Sequence, residues 1–437
     1  MHAVRLTFAF VFVFACGDTQ STPDGGPDAA VVEAGPDVDN GEVSTNYPAP
    51  HPPLPQLVNA AKGPVLTTPK IVYVFYPNYT NEPALQQFAK DVAASTYWTT
   101  TTSEYGVGAL TYSGTIDLTD TPPQTISQTD IESWVSQELT SGAFGTPDPE
   151  TIYTIVYPMG TTITQPNPVS TLLGTVNSCT AFYGYHDNTT AQIGDAGAPT
   201  SFAYAVIPTC SGLSSVTETL SHEWIEASTD PLLTTSGTFT LTGGANAAYY
   251  GPDADHTVWA LLGGGEAGDL CGPEGILVGI TPTDVNRLVQ RTWSNAAAAA
   301  SHDPCVPEIT GAFFDSAPVL DETVSFTSTL TGMVTSKGVT IARNASKTIE
   351  VDLFSDADTG GPWTVSASDV LSTYYGGYGL KPTMTFDWDR TTGQNGEKLH
   401  LTITVTGESP IAGAHAFMIK SQLGPRITVW PGLVVEP

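Results

Sequence analysis

Residues 215–231 (SVTETLSHEWIEASTDP) form the segment that most constrains how this chain can fold. Apolar side chains recur there at helical spacing, which predicts a helix with one buried side: Val216, Leu220, Trp224 and Ala227. Ser215 and Glu218 have the spacing of a capping box, which favours a helix that begins at Ser215. Asp230 precedes Pro231, and the residue before a proline avoids the helical conformation, so the helix is predicted to end there.

The other side of this predicted helix carries ionisable groups. Glu218, His222 and Glu226 recur at every fourth position, so their side chains stack on one face, and Glu223 follows His222. The pattern His-Glu-x-x-Glu differs from the zinc-binding HExxH pattern only in its last ligand, and zinc also accepts a carboxylate. We therefore predict that His222 and Glu226 bind a metal ion and that Glu223 is the general base. A solvated acidic helix face with one histidine is the simpler alternative, so the flanking sequence has to decide.

The charge of the chain limits its partners. The 437 residues carry a formal net charge of −30, and no lysine occurs between Lys90 and Lys337. A phosphate backbone would be repelled, so no nucleic-acid partner is expected. Charged residues make up only 13% of the chain, and Ser, Thr, Gly and Pro are abundant, which is typical of exported proteins rich in strands and loops.

The N-terminal residues predict export. An apolar run of secretory length ends just before Cys16, and this resembles a bacterial lipoprotein signal. Residues 1–15 are then a signal peptide, and lipidated Cys16 would anchor the protein to a membrane. Residues 16–55 are rich in Pro, Asp and Gly and are predicted to be a disordered tether. We expect a bacterial protein that is lipid-anchored in the cell envelope or extracellular.

Four cysteines remain after Cys16. An even number in an exported chain predicts two disulfides, and the sequence leaves all three pairings open: Cys179, Cys210, Cys271 and Cys305.

The pattern of predicted secondary structure changes near residue 307. Before it, strand-like runs such as residues 70–77 and 151–158 alternate with helical patterns, including one over residues 282–300, which predicts an α/β (α+β) domain over residues 56–306. After it, short alternating runs separated by turn residues predict an all-β sandwich domain over residues 307–437. The β domain shows no chemical motif, so an accessory or carbohydrate-binding role and a purely stabilising role both stay open.

Three further motifs accompany the helix. They are NSCTAFYGYH at 177–186, AYAVIPTC at 203–210 and GGGEAGDLCG at 263–272. Together with HEWIEASTDP, their order and wording resemble the phosphate-induced (exordium-like) proteins of plant cell walls and their bacterial relatives, over about residues 70–271. This resemblance implies a zincin-like metallopeptidase fold for the first domain, and it leaves the reaction poorly defined.

The helix supplies two metal ligands, and a third is needed. Glu266 is the first choice, because a glutamate supplied downstream resembles the gluzincin arrangement. Asp269 is the second choice, as a ligand or as a residue that orients one. His186 is a further candidate, as a ligand or as a catalytic donor to a developing oxyanion, although a lone histidine after aromatic residues is often a packed residue. His256 is a weaker candidate of the same kind.

Two functions stay open. The first is a secreted or surface-anchored zinc metalloprotein, a metallopeptidase-like hydrolase that activates a water and acts on a peptide or a cell-surface polymer. The second is a non-catalytic cell-surface or cell-wall binding or adhesion protein with a structural metal or none. The ligand set is rich in carboxylate oxygens, so Ca²⁺ is the alternative to Zn²⁺.

Overall fold

The computed structural model describes residues 39–166, 175–193, 198–233, 246–262, 264–273, 278–328, 332–375, 381–409 and 413–437. The predicted signal peptide, Cys16 and the first part of the predicted tether lie outside the described residues.

The helices lie mainly in the first half of the chain. They are α1 (Glu82–Ala94), α2 (Thr96–Thr102), α3 (Gln128–Ser141), α4 (Leu213–Thr229), α5 (Asn295–Ala299) and α6 (Val370–Tyr375), with short 3-10 helices at Ser103–Tyr105, Thr257–Leu261 and Asp269–Cys271. The helix predicted around the His-Glu-x-x-Glu pattern is confirmed as α4.

Strands occur along the whole described chain. Those before residue 307 are β1 (Leu57–Val58), β2 (Lys70–Phe75), β3 (Thr111–Asp117), β4 (Thr125–Ser127), β5 (Thr151–Tyr157), β6 (Thr162–Pro166), β7 (Thr175–Asn177), β8 (Tyr185–Ala191), β9 (Thr200–Pro208), β10 (Gly251–Pro252), β11 (Gly279–Ile280), β12 (Val289–Gln290), β13 (Thr292–Trp293) and β14 (Cys305–Val306). Those after it are β15 (Phe314–Pro318), β16 (Glu322–Ser328), β17 (Gly332–Thr340), β18 (Ser346–Ser355), β19 (Trp363–Asp369), β20 (Met384–Trp388), β21 (Thr392–Gly393), β22 (Lys398–Val405), β23 (Ala414–Leu423) and β24 (Arg426–Val435).

A mixed five-stranded sheet supports α4. Its order is β3-β2-β5-β9-β8, and all neighbours are parallel except β8, which runs antiparallel to β9 at the edge. The buried β-branched and aromatic residues of β2, β5 and β9 form its centre, because such side chains pack well on a pleated surface. Trp224 of α4 packs against Tyr73 and Phe88, and its indole N–H donates to Thr154 of β5. This contact fixes the helix on the sheet.

Two larger sheets form the second half of the chain. One has the order β15-β18-β22-β20 and the other has the order β16-β17-β24-β23-β19-β21. Alternating apolar residues of both sheets meet in one buried cluster, to which Val351 and Leu401 contribute from the first sheet and Phe417 and Ile419 from the second. Their period-two burial, seen most clearly in β22, is that of strands with one buried face.

The two halves share a hydrophobic core. Trp430 of β24 lies edge-on to Trp259, with ring centroids 5.5 Å apart, and Trp259 lies in the same way against Trp293, again at 5.5 Å. All three indoles are buried and belong to one cluster that also contains α4 residues such as Trp224. Packing is therefore continuous across residue 307.

The predicted fold class, an α/β (α+β) zincin-like metallopeptidase domain followed by an all-β sandwich, is wrong. The structure is mostly β, with 38% strand and 20% helix, and its strands are distributed over many sheets. The helical pattern over residues 282–300 illustrates the reason. Asn286 adopts a left-handed conformation, with φ of 57°, which interrupts a helix, and Val289–Gln290 pairs with Gly279–Ile280 instead. Only Asn295–Ala299 is helical there.

Two other local predictions also differ from the structure. Helix α4 begins earlier than predicted, with Gly212 as its N-cap and no side-chain cap, so the predicted capping box of Ser215 and Glu218 does not form. Residues 39–55, within the predicted tether, pack against the protein. Ala49 is buried there, and its N–H donates to the side chain of Asn395.

Two disulfides form among the described residues. Cys179 pairs with Cys210, and Cys271 pairs with Cys305, which confirms the predicted number of bridges and supplies the pairing that the sequence left open. Disulfides persist in oxidising compartments, so they indicate a location outside the cytoplasm. Among the helices of the described residues, none is long and apolar enough to cross a membrane.

Candidate metal centre

All six predicted site residues line one cavity of about 320 Å³ beside α4. They are His186, His222, Glu223, Glu226, Glu266 and Asp269. They come from three places in the chain, namely the edge strand β8, the helix α4 and the 3-10 segment that ends at Cys271. The structure therefore brings together residues that the sequence could only suggest as partners.

His222 and Glu226 form the closest pair. Nε2 of His222 lies 2.9 Å from Oε2 of Glu226, one helical turn further along α4. The other carboxylate oxygen, Oε1, accepts the backbone N–H groups of Gly268 at 3.0 Å and of Asp269 at 3.1 Å. Glu226 is thereby held with one oxygen towards the loop and the other towards His222.

Gln290, which also lines the cavity, orients the ring of His222 through its side-chain amide. Nδ1 of His222 lies 3.0 Å from Oε1 of Gln290, which can only accept, so Nδ1 carries a proton and Nε2 is the ring nitrogen that faces Glu226 and that can bind a metal once its own proton has left. The amide nitrogen of Gln290 donates to the Gly268 carbonyl at 2.8 Å, and its backbone N–H donates to Ser221 at 2.9 Å. Gln290 lies in the stretch predicted to be helical, and no motif contains it.

The loop that carries Glu266 and Asp269 approaches α4 very closely. A Cβ atom on Gly268 would lie 2.4 Å from Nδ1 of His222 and 2.8 Å from Oε1 of Glu226, so only glycine fits there. Asp269 begins the 3-10 helix that ends at Cys271, where a disulfide ties the loop to Cys305. The loop is thus held against the helix by its backbone and by a covalent bridge.

His186 reaches the cavity from the edge strand. Its Nδ1 lies 3.5 Å from Oε2 of Glu223 and 3.7 Å from Oε2 of Glu226, and its Nε2 lies 3.4 Å from Oε1 of Glu266. Nε2 of His186 and Oε1 of Glu266 are buried, and apart from each other, at this long distance, neither has a polar partner among the described residues. Buried polar atoms are normally satisfied, so this pair is a place where a ligand is expected.

Two groups of residues have metal-ligand spacing. The ligand atoms of His222, Glu226 and Asp269 lie within 4.8 Å of one another, and so do those of His186, Glu226 and Glu266. Glu226 belongs to both groups. The first group pairs the helix residues with Asp269, the second choice from the sequence, whereas Glu266 pairs with His186.

Burial and mutual charge shift the pKa values of these groups. Burial lowers the pKa of His222, but the charges of Glu226, Glu223 and Asp269 outweigh burial and raise the pKa to about 10. Burial raises the pKa of Glu226, but the charge of His222 outweighs burial and the pKa falls below its ordinary value. Desolvation raises the pKa values of Glu266 and Asp269. These shifts favour the protonated form of His222 and disfavour ionisation of Glu266 and Asp269.

Glu223 and His186 are linked in the same way. Desolvation raises the pKa of Glu223, and its hydrogen bond with His186 opposes that effect. Burial lowers the pKa of His186, but the charge of Glu266 and the contact with Glu223 outweigh burial and raise it. A carboxyl group with a raised pKa is suited to accept and return a proton near neutral pH.

Of the two remaining candidates, one lies outside the cavity and the other lines it. His256 lies outside the cavity, where its Nδ1 is 2.7 Å from Asp253 and its ring meets the edge of Trp430. Glu218 lines the cavity, half-buried, on the same face of α4 as His222 and one turn before it. Burial raises the pKa of Glu218.

Comparisons with known proteins give little. No protein-family model matches the chain, and no curated protein matches it. The titin M3 domain is a similar solved structure, with a TM-score of 0.14 and 10% identity over 23% of this chain and 86% of that one. The titin M10–obscurin-like 1 Ig complex has a TM-score of 0.15 with 15% identity, over 23% of this chain and 87% of that one. Domains 1–6 of the surface layer protein SbsC have a TM-score of 0.16 with 14% identity, over 34% of this chain and 23% of that one. Scores this low carry no argument about function.

Proposed function

We propose that this protein is an exported metalloprotein with metallopeptidase-like hydrolytic chemistry, in which His222, Glu226 and Asp269 hold one metal ion. The observation that carries the proposal is the closeness of the three ligand atoms, all within 4.8 Å of one another at the floor of a cavity. The orientation of His222 by Gln290 supports it, because a metal-binding histidine usually donates its other ring N–H to an acceptor.

Zn²⁺ fits this donor set. Zinc accepts one imidazole nitrogen and carboxylate oxygens, and a catalytic zinc site has three protein ligands and an open position. When bound, zinc supplies a Lewis acid that polarises a carbonyl and lowers the pKa of water. His186 and Glu266 line the same cavity, and their facing atoms Nε2 and Oε1, 3.4 Å apart and without closer partners among the described residues, can contact a ligand there.

Glu223 is the proposed general base. It follows His222 on α4, is buried, and lines the cavity, so its carboxylate can take the proton of the attacking water and return it to the leaving amine. His186 lies 3.5 Å from Glu223 and can orient that carboxylate or donate to the oxyanion that develops on the substrate. The substrate would be a peptide or a peptide-bearing cell-surface polymer.

A second candidate function is a non-catalytic surface protein with a structural Ca²⁺ ion. The observation that favours it is the number of buried carboxylates around His186, namely Glu223, Glu226 and Glu266, because Ca²⁺ prefers oxygen ligands. Both candidate functions are compatible with two further proposals. One is that the chain is related to the exordium-like proteins, and the other is that it is lipid-anchored at Cys16.

Elemental analysis of the purified chain, after zinc has been supplied and excess metal removed, tests the proposal. We expect about one zinc per chain, lost in His222→Ala and in Asp269→Asn and retained in Glu266→Gln. His256→Ala is the matched control, since His256 lies outside the cavity. Loss in Glu266→Gln with retention in Asp269→Asn would transfer the third ligand to Glu266. Absence of zinc from the wild type overturns the zinc site, and bound calcium instead favours the second candidate.

Hydrolysis is tested separately with Glu223→Gln. We expect this variant to keep its zinc and to lose cleavage of a fluorogenic peptide library by about a thousandfold or more, because a glutamine has the same shape but cannot accept the proton. Equal cleavage by Glu223→Gln and wild type would refute Glu223 as the base. Zinc without any cleavage by the wild type would support the non-catalytic candidate.

A further inference from the structure

Glu218 is a half-buried carboxylate in the wall of the cavity. It lies one helical turn before His222, so the two side chains share a face of α4 with Cβ atoms about 5–6 Å apart. A Cβ atom on Gly279 would lie 2.4 Å from Oε1 of Glu218, so the backbone of β11 closes against the carboxylate on one side. The carboxylate therefore has a fixed place beside the proposed metal ligands.

Glu218 has no partner of opposite charge in the described structure except His222, which faces Glu226. No side-chain hydrogen bond or ion pair of Glu218 is found among the described residues, in contrast to Glu226, whose oxygens meet two backbone N–H groups and an imidazole. Glu218 is half-buried and lines the cavity, so its carboxylate is available to a positively charged group that enters the cavity.

The cavity itself cannot supply that partner. Among the described residues that line it, none is lysine or arginine, and between Lys90 and Lys337 the sequence contains only Arg287 and Arg291 as strong bases. Arg291 is buried elsewhere, where its guanidinium contacts Asp303. The proposed metal would offset the charge of Glu226 and Asp269, and His186 lies against Glu223 and Glu266. Of the carboxylates that line the cavity, Glu218 is the one that takes part in none of these contacts.

The structure assigns Glu218 as a specificity residue: we propose that it binds a positively charged group of the substrate, an ammonium or guanidinium, next to the position of the metal. This rests on the proposed function, and it adds the class of substrate, a basic peptide or a peptide with a free amine at that place. Hydrogen bonds to charged groups are stronger than neutral ones, so the preference should be measurable.

Hydroxamates, which chelate metals, test this without a known substrate. Three are compared on the zinc-loaded chain by calorimetry: Nα-acetyl-lysine hydroxamate, Nα-acetyl-norleucine hydroxamate and norleucine hydroxamate with its α-amine free. The first adds a side-chain cation to the neutral second compound, and the third adds a main-chain cation. We expect one of the two cationic compounds to bind about tenfold more tightly than the neutral compound. Which one does so identifies the source of the positive charge.

Glu218→Gln should abolish that preference without changing zinc content or the affinity for the neutral hydroxamate. Glu308→Gln is the control, because Glu308 is exposed and does not line the cavity. Equal binding of all three compounds by the wild type, or a preference that survives in Glu218→Gln, would overturn the assignment and leave the proposed function standing. Failure of all three to bind a chain that holds zinc would overturn both, since the metal would then be closed to ligands.

Discussion

Nδ1 of His222 donates to Oε1 of Gln290 across 3.0 Å, and this bond joins the helix with the proposed ligands to a strand that no sequence motif marks. The bond keeps a proton on Nδ1, so Nε2, which faces Glu226, is the ring nitrogen left to bind a metal. Gln290 also donates to the Gly268 carbonyl, so one side chain fixes the position of His222 relative to the loop that carries Asp269.

Replacing Gln290 by leucine should therefore weaken metal binding. We expect Gln290→Leu to lower zinc affinity by about ten- to a hundredfold, the usual effect of removing a residue that orients a metal-bound histidine. Competition with a chromophoric chelator measures the change. Gln290→Glu keeps the acceptor for Nδ1 and should lie nearer to wild type. If leucine and glutamate give the same affinity as glutamine, the bond does not orient His222.

A second prediction concerns the two disulfides, of which one serves as the control for the other. Their sequence separations are 34 for Cys271–Cys305 and 31 for Cys179–Cys210, so loss of either should lower the free energy of unfolding by a similar amount, about 3 kcal/mol. Only Cys271 shares a 3-10 helix with Asp269. We expect the Cys271→Ser/Cys305→Ser double variant to lose about ten times more zinc affinity than Cys179→Ser/Cys210→Ser. Equal losses would mean that the bridge does not position Asp269.

The sequence predicted the parts of the molecule that local patterns determine. Helical spacing of Leu220 and Trp224 located α4, and Asp230 marks its end as expected. Runs of β-branched and aromatic residues located the central strands β2, β5 and β9. The helix shows a periodic apolar pattern and the three strands are continuous apolar runs buried in the sheet, so each of these elements can be recognised from its own residues.

The parts that were missed depend on contacts between distant residues. The residues near Val289 were predicted to be helical, but Val289 pairs with Ile280 in a sheet and Asn286 is left-handed. The spacing of apolar residues contains no information about either feature. The long strands of the second half, such as β18, β23 and β24, supply much of the strand content of the molecule. At the site, the choice between Asp269 and Glu266 depends on how the loop folds over Gly268, a contact distance that no spacing in the sequence encodes. The role of Gln290 was not predicted either, because it also depends on a contact between residues far apart in the sequence.

Asp315 of β15 gives a prediction about pH. It is fully buried, and burial raises its pKa from 3.8 to about 7 although Ser316, Thr428 and Ser421 donate to it. The folded state thus holds a proton on Asp315 that the unfolded state releases above its own, lower pKa. The stabilisation is full below pH 3.8 and declines as pH rises to about 7, so this group lowers the free energy of unfolding across that window.

Asp315→Asn should remove that contribution, because the amide keeps an acceptor for the same donors and does not titrate. We expect the free energy of unfolding of the variant, measured in urea, to fall less than that of the wild type between pH 4 and pH 7. Asp387→Asn, on the partly exposed strand β20, serves as the control. Parallel pH profiles for Asp315→Asn and wild type would show that Asp315 is ionised throughout.

Trp430 tests whether the two halves act as one unit. It is 2% exposed and contacts Trp259 and Phe354, so Trp430→Ala should remove about 3–5 kcal/mol of stability. Because Trp259 shares its cluster with α4 residues, we expect zinc release and loss of tryptophan fluorescence to shift together to lower urea concentrations.

Trp388→Ala is the comparison, since Trp388 packs only against the other cluster, between the two large sheets. Its effect on stability should be smaller, and zinc release should shift together with unfolding by that smaller amount. Zinc release unaffected by Trp430→Ala would mean that the metal centre is stabilised independently of the second half of the chain.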